Sequence, residues 1–207
     1  MIRLSVLIVL IAAIYALLAL GGLFLVTPSG YTSPLWPAAG LALAVILMRG
    51  PRCWPGIWLG AFLVDFSLDI SLTGALVAGL LATGITLQAL VGARLTRRFL
   101  VVTQPLAQEH DVWRFLILGG PVACLIGASV SVLVLSGFER MTAADIQTQW
   151  LLWWTGDTLG VLLFTPLVLL IWPGSRSFWP QGKTRLALPL LVTATLLGAG
   201  HVGLAHL

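Results

Sequence analysis

Apolar residues follow one another in long runs along this chain, and short polar segments separate the runs. The first run extends from Leu4 to Val26, after Arg3. A helix needs about 20 apolar residues to cross the hydrocarbon core of a bilayer. This run is too long for the apolar region of a signal peptide, and no small-x-small cleavage site precedes Thr27. We therefore predict that it forms a first membrane-spanning helix.

The second and third runs are shorter, from Pro34 to Met48 and from Trp54 to about Leu68, and a segment with two arginines, Arg49 and Arg52, separates them. A helix over the second run would be about 22 Å long. A re-entrant hairpin is one interpretation, but it would leave both arginines near the middle of the membrane, at a cost of several kcal/mol. We favour two spans that are tilted or partly shielded by other helices.

Four further runs extend from Leu72 to Leu95, from about Val112 to Ser136, from about Gln147 to Trp172 and from about Leu186 to His206. Hydrophobic residues make up 59% of the chain and charged residues 9%, whereas about a quarter of the residues of a soluble domain are charged. We therefore predict an all-α fold, a polytopic transmembrane helical bundle of about seven spans. Residues 1–207 form one integral membrane domain in this interpretation, without an attached soluble domain.

The basic residues fall almost entirely on one side of the predicted bundle. Alternate loops on one side contain ten of the eleven: Arg3, Arg49, Arg52, Arg94, Arg97, Arg98, Arg114, Arg176, Lys183 and Arg185; the other side contains Arg140. Cytoplasmic loops carry the excess of Lys and Arg, so we predict a cytoplasmic N-terminus. This topology explains the net charge of +4 better than nucleic-acid binding does, and we expect no nucleic-acid partner.

Seven spans from a cytoplasmic N-terminus place Leu207 outside, directly after an apolar run. We therefore expect the chain to be a fragment. Its parent would continue through an eighth span into the cytoplasm as a longer signalling protein.

Asp157 is the most informative polar residue, because ionisable side chains within a membrane are costly and often functional. It lies about 15 Å from the outer end of the sixth run. Three tryptophans precede it by seven, four and three positions and share its helix face: Trp150, Trp153 and Trp154. This pattern predicts an outward-opening pocket with an aromatic wall and a carboxylate floor, suited to a cation or a ring. The alternative is a tryptophan belt at the outer interface, with Asp157 bonded to neighbouring helices.

The step from Gly156 to Gly160 permits close approach of another helix to the same run.

Four other polar residues lie in or near predicted spans. Asp69 should reach water and end the third helix, and Asp65, four positions earlier, is either a second polar group of the pocket or a local hydrogen-bond acceptor. Gln88 is expected to form a hydrogen bond between helices. His201, in the outer half of the seventh run, is either a proton sensor or a satisfied core residue.

Motifs for covalent chemistry are missing from the sequence. It contains no HExxH, GxSxG or phosphate-loop pattern, and its acids and histidines are too scattered to suggest a metal site. Cys53 and Cys124 form no metal motif and are expected to be buried structural residues. We predict that the chain is not an enzyme and holds no cofactor and no metal.

Four stretches together resemble a known family: Trp36-Pro37-Ala38-Ala39-Gly40-Leu41-Ala42, Trp54 to Phe62, Thr86 to Ala93, and Trp153 to Leu162 with Pro166. In order and spacing they are similar to the first type of bacterial membrane-associated sensor domain (MASE family). The resemblance implies an N-terminal inner-membrane sensor of about eight helices, joined to a cytoplasmic histidine kinase or an enzyme of c-di-GMP turnover. The family pattern often has an acid where this chain has Gln88, and Asp157 matches the family's buried polar residue.

These observations together predict a multi-pass sensory input domain of the bacterial inner membrane. It would detect a small molecule or an envelope cue and regulate a cytoplasmic output module in cis, in a protein expected to be a homodimer. The candidate ligand-binding residues are Asp157, Trp154, Trp153, Trp150, Asp65, Trp36 and His201. Two alternatives stay open: a substrate-capture protein like those of vitamin uptake systems, and a dimerising anchor that does not sense.

Overall fold

The computed structural model describes residues 4–23, 33–99 and 115–171, and the regular structure in these ranges is entirely helical. The α-helices are α1 (Leu4–Leu23), α2 (Pro37–Arg49), α3 (Trp54–Leu68), α4 (Leu72–Phe99), α5 (Ala123–Gly137) and α6 (Ile146–Ile171). A short 3₁₀ turn (Pro51–Cys53) joins α2 to α3, and a π-helical segment (Phe115–Val122) leads into α5. The predicted seventh run and His201 lie outside the described residues.

Four of these helical segments are long and apolar enough to cross a membrane: Leu4–Leu23, Leu72–Arg98, Ile117–Gly137 and Ile146–Ile171. Their lengths and composition confirm the predicted class, an all-helical membrane domain. Many large apolar side chains on their outer faces are exposed, as expected for surfaces that contact lipid.

Helix α2 is the central element of the bundle, and every residue from Pro37 to Leu47 is buried. It packs chiefly against α6, and also against α4 and α1. A helix that is apolar on all sides is stable only when it is surrounded, and the short second run has this composition. The structure thus encloses this short helix of 13 residues among other helices, and its length is below the roughly 20 residues of a full span.

Helix α2 begins and ends for local reasons. Pro37 occupies its first turn, where a missing N–H costs little. Gly50 has a φ of 88° just after the helix, and its N–H donates to the Ile46 carbonyl at 3.0 Å. Arg97, near the end of α4, donates from Nη2 to the carbonyls of Ile46 and Leu47 at 2.9 and 2.7 Å. The guanidinium therefore adds a second donor to the Ile46 carbonyl and satisfies the Leu47 carbonyl in the last turn.

The beginning of the fifth predicted run differs from a regular α-helix. Residues Phe115–Val122 are π-helical and contain Pro121, which has no N–H to continue the α-helical ladder. The carbonyl of Pro121 accepts a hydrogen bond from Trp154 Nε1 at 2.8 Å. This bond joins the π-helical segment to α6.

Successive helices run in opposite directions through the bundle. The last residues of α1 and α3, Leu23 and Leu68, lie around one cavity together with Gly74, near the start of α4, and Trp153, near the start of α6. Ends that are distant in sequence therefore meet at one end of the molecule, and this end contains the candidate site.

Candidate functional site

A cavity of about 520 Å³ opens at this end of the bundle, between the ends of α1, α3, α4, α5 and α6. Four of the seven predicted site residues line it: Trp36, Asp65, Trp153 and Asp157. They come from the segment before α2, from α3 and from α6, so the helix packing brings together residues that the sequence separates widely.

Asp157 is 8% exposed and lies where α4, α5 and α6 meet. Its Oδ2 accepts a hydrogen bond from Gln88 Nε2 at 2.9 Å, and Gln88 Oε1 accepts one from the Gly127 N–H at 3.1 Å. The predicted interhelical role of Gln88 is therefore confirmed. A Cβ at position 127 would overlap the end of the Gln88 side chain, so a larger residue there would displace this amide.

Both interpretations of Asp157 describe part of its environment. Its carboxylate is bonded to a neighbouring helix and it also lines the cavity. Because Asp157 contacts both the cavity and Gln88, a molecule that binds Asp157 in the cavity can change its hydrogen bond to Gln88 and thereby affect α4 and α5.

Trp150 and Trp154 lie on the other side of α6 and do not line this cavity. Their rings stack on each other with centroids 6.0 Å apart. Trp150 Nε1 donates to Ser129 Oγ at 3.1 Å, and Trp154 donates to the Pro121 carbonyl. Consecutive helical residues point about 100° apart, so Trp153 faces the cavity whereas Trp154 faces α5. The prediction that three α6 tryptophans form a wall of the cavity is therefore wrong for two of them. Trp153 lines the cavity, and the second aromatic residue is Trp36, from the segment before α2.

Trp36 reaches the cavity because the chain before α2 crosses α6 at its two glycines. The Trp36 N–H donates to the Gly156 carbonyl at 3.1 Å, and a Cβ at Gly160 would overlap the Trp36 carbonyl oxygen. The close approach predicted for Gly156 and Gly160 is confirmed. Farther along, Thr165 Oγ1 donates to the Gly40 carbonyl at 3.0 Å, which ties α6 to α2.

Asp65 projects from α3 into the cavity lining and is half-buried. Among the described residues it has no hydrogen-bond or ion-pair partner. It therefore does not act there as a local hydrogen-bond acceptor, which was one of the two roles predicted for it. Its carboxylate is available to whatever enters the cavity.

An ion pair crosses the mouth of the cavity. Arg140, after α5, donates from Nη2 to Oδ2 of Asp69, the residue that ends α3. Hydrogen bonds from Arg140 and Ser71 hold the pKa of Asp69 below its ordinary value. Both side chains are about one-third exposed, so Asp69 reaches water as predicted.

Sequence reasoning did not assign Arg140 and its neighbour Glu139 to the site, although both line the cavity. A signal was present, because the topology predicted from the sequence places Arg140 alone on the side opposite to the other basic residues. Glu139 has a φ of 55°, which brings the chain sharply out of α5 at this point.

Metal and thiol chemistry have no assembled site in the part of the chain that the structure describes. No three His, Cys, Asp or Glu side chains are grouped there to hold a metal ion. Cys53 and Cys124 are buried and not disulfide-bonded, in agreement with the structural role predicted for them.

Comparison with known proteins gives a family match over nearly the whole chain. The family model described as MASE1 matches residues 7–207. The probable diguanylate cyclase DgcE of Escherichia coli (strain K12) is 30% identical over 168 residues. This alignment covers 79% of the chain but only 15% of that relative. No solved structure matches the chain.

Proposed function

This chain belongs to the MASE1 family of membrane sensor domains, and from that premise we propose that it detects a small molecule in the cavity beside Asp157. One observation carries the proposal. A nearly buried carboxylate faces a cavity of about 520 Å³ and is also hydrogen-bonded to Gln88 of another helix. Ligand cavities in proteins commonly have about this volume and few polar groups.

Ligand binding changes the packing of helices only if the ligand binds two packings with different affinities. A group that bonds to Asp157 alters the partner of Gln88, and Gln88 also holds the backbone of α5 at Gly127. Helix α4 continues from Gln88 to Arg97, which is bonded to the last carbonyls of α2. This continuous set of contacts supports transmission from the cavity to the opposite end of the bundle.

We further propose that the cavity opens to the outside of the inner membrane and that the N-terminus is cytoplasmic, with about seven spans in residues 1–207. The positive-inside rule supports this orientation. The α2–α3 turn and the end of α4 contain Arg49, Arg52, Arg94, Arg97 and Arg98, whereas the cavity mouth contains Arg140.

The regulated partner in this proposal is a cytoplasmic output module in cis, a c-di-GMP enzyme or a histidine kinase, in a homodimeric protein. The name of the E. coli relative, a probable diguanylate cyclase, supports an enzyme of c-di-GMP turnover. The chain spans only 15% of that relative, so the module would lie in a longer protein of which residues 1–207 are one membrane domain.

The substitution Asp157→Asn in the full-length protein tests this function. Asparagine retains an oxygen that can accept from Gln88, so folding and membrane insertion should be preserved while the charge is removed. We expect the change in output between activating and non-activating growth conditions to fall at least tenfold, measured as cellular c-di-GMP or as kinase phosphorylation.

Asp145→Asn is the matched control, because Asp145 is exposed and bonded to Thr142 away from the cavity. A wild-type response of Asp157→Asn at normal expression would remove Asp157 from the site. Replacing residues 1–207 by an unrelated dimeric membrane anchor distinguishes sensing from anchoring, since unchanged regulation would favour the anchor.

A further inference from the structure

We propose that the ligand of this cavity is an organic cation, an amine or quaternary ammonium compound whose apolar part lies beside Trp36 and Trp153. The inference rests on the proposed function and adds the chemical class of the ligand. It follows from the charge, the hydrogen-bonding capacity and the aromatic lining of the cavity.

The cavity concentrates acidic residues in a chain that is basic overall. The net charge is +4, yet within residues 4–23, 33–99 and 115–171 four of the five acidic residues line this cavity and one of the six basic residues does. The four are Asp65, Asp69, Glu139 and Asp157. Arg140 is engaged with Asp69, and the other three acids have no ion-pair partner within the described ranges. The uncompensated charge of the lining is therefore negative, which attracts cations and disfavours anions.

Two of these carboxylates have acceptor capacity that the protein does not use. Asp157 Oδ2 accepts from Gln88, but the second oxygen has no donor among the described residues. Asp65 accepts no hydrogen bond from them either. Both residues line the cavity, and a carboxylate within a membrane domain is costly without a partner. Any ammonium group supplies the positive charge that these carboxylates lack, and a protonated amine also supplies N–H donors to their unused oxygens.

The aromatic lining favours an organic cation over a metal ion. Trp36 and Trp153 both line the cavity, and the face of an indole ring attracts a cation that lies over it. A metal ion requires several ligand atoms within about 2.6 Å, and no three acidic, cysteine or histidine side chains are grouped for this among the described residues. An organic cation can spread over several ångströms and contact separate carboxylates and rings.

The experiment compares a cation with an uncharged molecule of the same shape. The complete chain is purified in a maltoside detergent, which contains no ammonium group, and titrated by calorimetry with benzyltrimethylammonium and with its carbon isostere neopentylbenzene. We expect the cation to bind at least tenfold more tightly. Equal affinities, or tighter binding of the isostere, would overturn the proposal.

Three variants locate the binding. Asp65→Asn and Asp157→Asn should each weaken cation binding at least tenfold and leave binding of the isostere unchanged, which also shows that the cavity is still folded. Asp65→Asn is expected to disturb folding less than Asp157→Asn, because Asp65 has no hydrogen-bond partner to lose within the described ranges. Asp145→Asn should behave as wild type. Wild-type cation affinity in both cavity variants would contradict the proposal.

The ammonium group could be free or belong to a lipid headgroup. Titration with a short-chain phosphatidylethanolamine in the same detergent distinguishes these sources. If the lipid binds and Asp65→Asn weakens its binding, the source is a headgroup. If the lipid does not bind but benzyltrimethylammonium binds tightly, the source is a free cation. If no cation binds at millimolar concentration, the ligand class is wrong. The proposed sensing function would then still be judged by its own test, the output response of Asp157→Asn in cells.

Discussion

At the scale of single residues, the pair of Gln88 and Asp157 connects the cavity with the helix packing. The Gln88 amide donates to a carboxylate oxygen and accepts from the backbone of α5. A carboxylate and an amide that are both more than nine-tenths buried depend on each other for hydrogen bonding. The sequence predicted that Gln88 bonds between helices, but not that Asp157 is the partner.

A double-mutant cycle measures this dependence. Gln88→Leu and Asp157→Leu should each lower stability, and the double variant should lose less than the sum, with a coupling of about 0.5–2 kcal/mol. The free energies come from reversible unfolding in mixed micelles. Thr83→Val, on the same helix but bonded to Trp58, is the control and should be additive with Asp157→Leu. Additivity of the Gln88 pair as well would contradict the observed bond.

The ion pair at the cavity mouth has a predictable pH dependence. Because the pKa of Asp69 is lowered in the folded protein by Arg140 and Ser71, its contribution is present above the unfolded pKa of about 3.9. It is lost only as the pH falls through the lowered folded value. The difference in Tm between wild type and Arg140→Gln should therefore be constant from about pH 8 to pH 5 and shrink below about pH 4.

Asp69→Asn provides the control for this measurement, since it removes the titrating partner and should abolish the acid-dependent part of the difference. A Tm difference that changes mainly between pH 6 and pH 8 would show that another group titrates with the pair.

At the scale of elements, the first six predicted runs each contain a helix, and most ends lie within a few residues of the prediction. Local composition was sufficient to place these helices, because the length of an apolar run and the turn-forming residues at its ends are properties of neighbouring residues in the sequence. The π-helical start of the fifth run was not predicted. Pro121 indicates a disruption of the helix, but its carbonyl bonds to Trp154 of a distant helix, and this partner depends on the tertiary structure.

The crossing of the chain before α2 over α6 depends on glycine at position 160. Gly160→Ala should destabilise the domain by about 1–3 kcal/mol, because the new methyl group would overlap the Trp36 carbonyl oxygen. Gly21→Ala in α1 is the matched control, since a Cβ there meets nothing within 4 Å. It should be neutral or stabilising by up to about 1 kcal/mol. Thermal unfolding in detergent measures both, and equal Tm values would argue against the close contact.

At the scale of the whole molecule, the proposed orientation follows from the separation of charges between the two ends of the bundle. The cavity mouth, with its acids and Arg140, lies at one end, and Arg97 contacts the end of α2 at the other. The bundle therefore presents chemically different ends to the two sides of a membrane.

Labelling of single cysteines tests this orientation in intact cells. In a background with Cys53→Ser and Cys124→Ala, a cysteine at exposed Ala144 should react with a membrane-impermeant maleimide without permeabilisation. Arg52→Cys, exposed in the turn between α2 and α3, should react only after permeabilisation. The reverse pattern would invert the proposed topology and place the cavity mouth in the cytoplasm.

The sequence by itself determined that this is a helical membrane domain and where most helices lie, because apolar length and charge act locally along the chain. It also identified seven candidate site residues, since polar and aromatic residues in apolar runs are distinctive: Asp157, Trp154, Trp153, Trp150, Asp65, Trp36 and His201. Only the tertiary structure decided which of them face one cavity. That depends on the rotation of each helix about its axis. Close glycine contacts and hydrogen bonds between residues as far apart as 125 positions fix this rotation. For this reason Trp153 lines the cavity while Trp154, the next residue, faces α5.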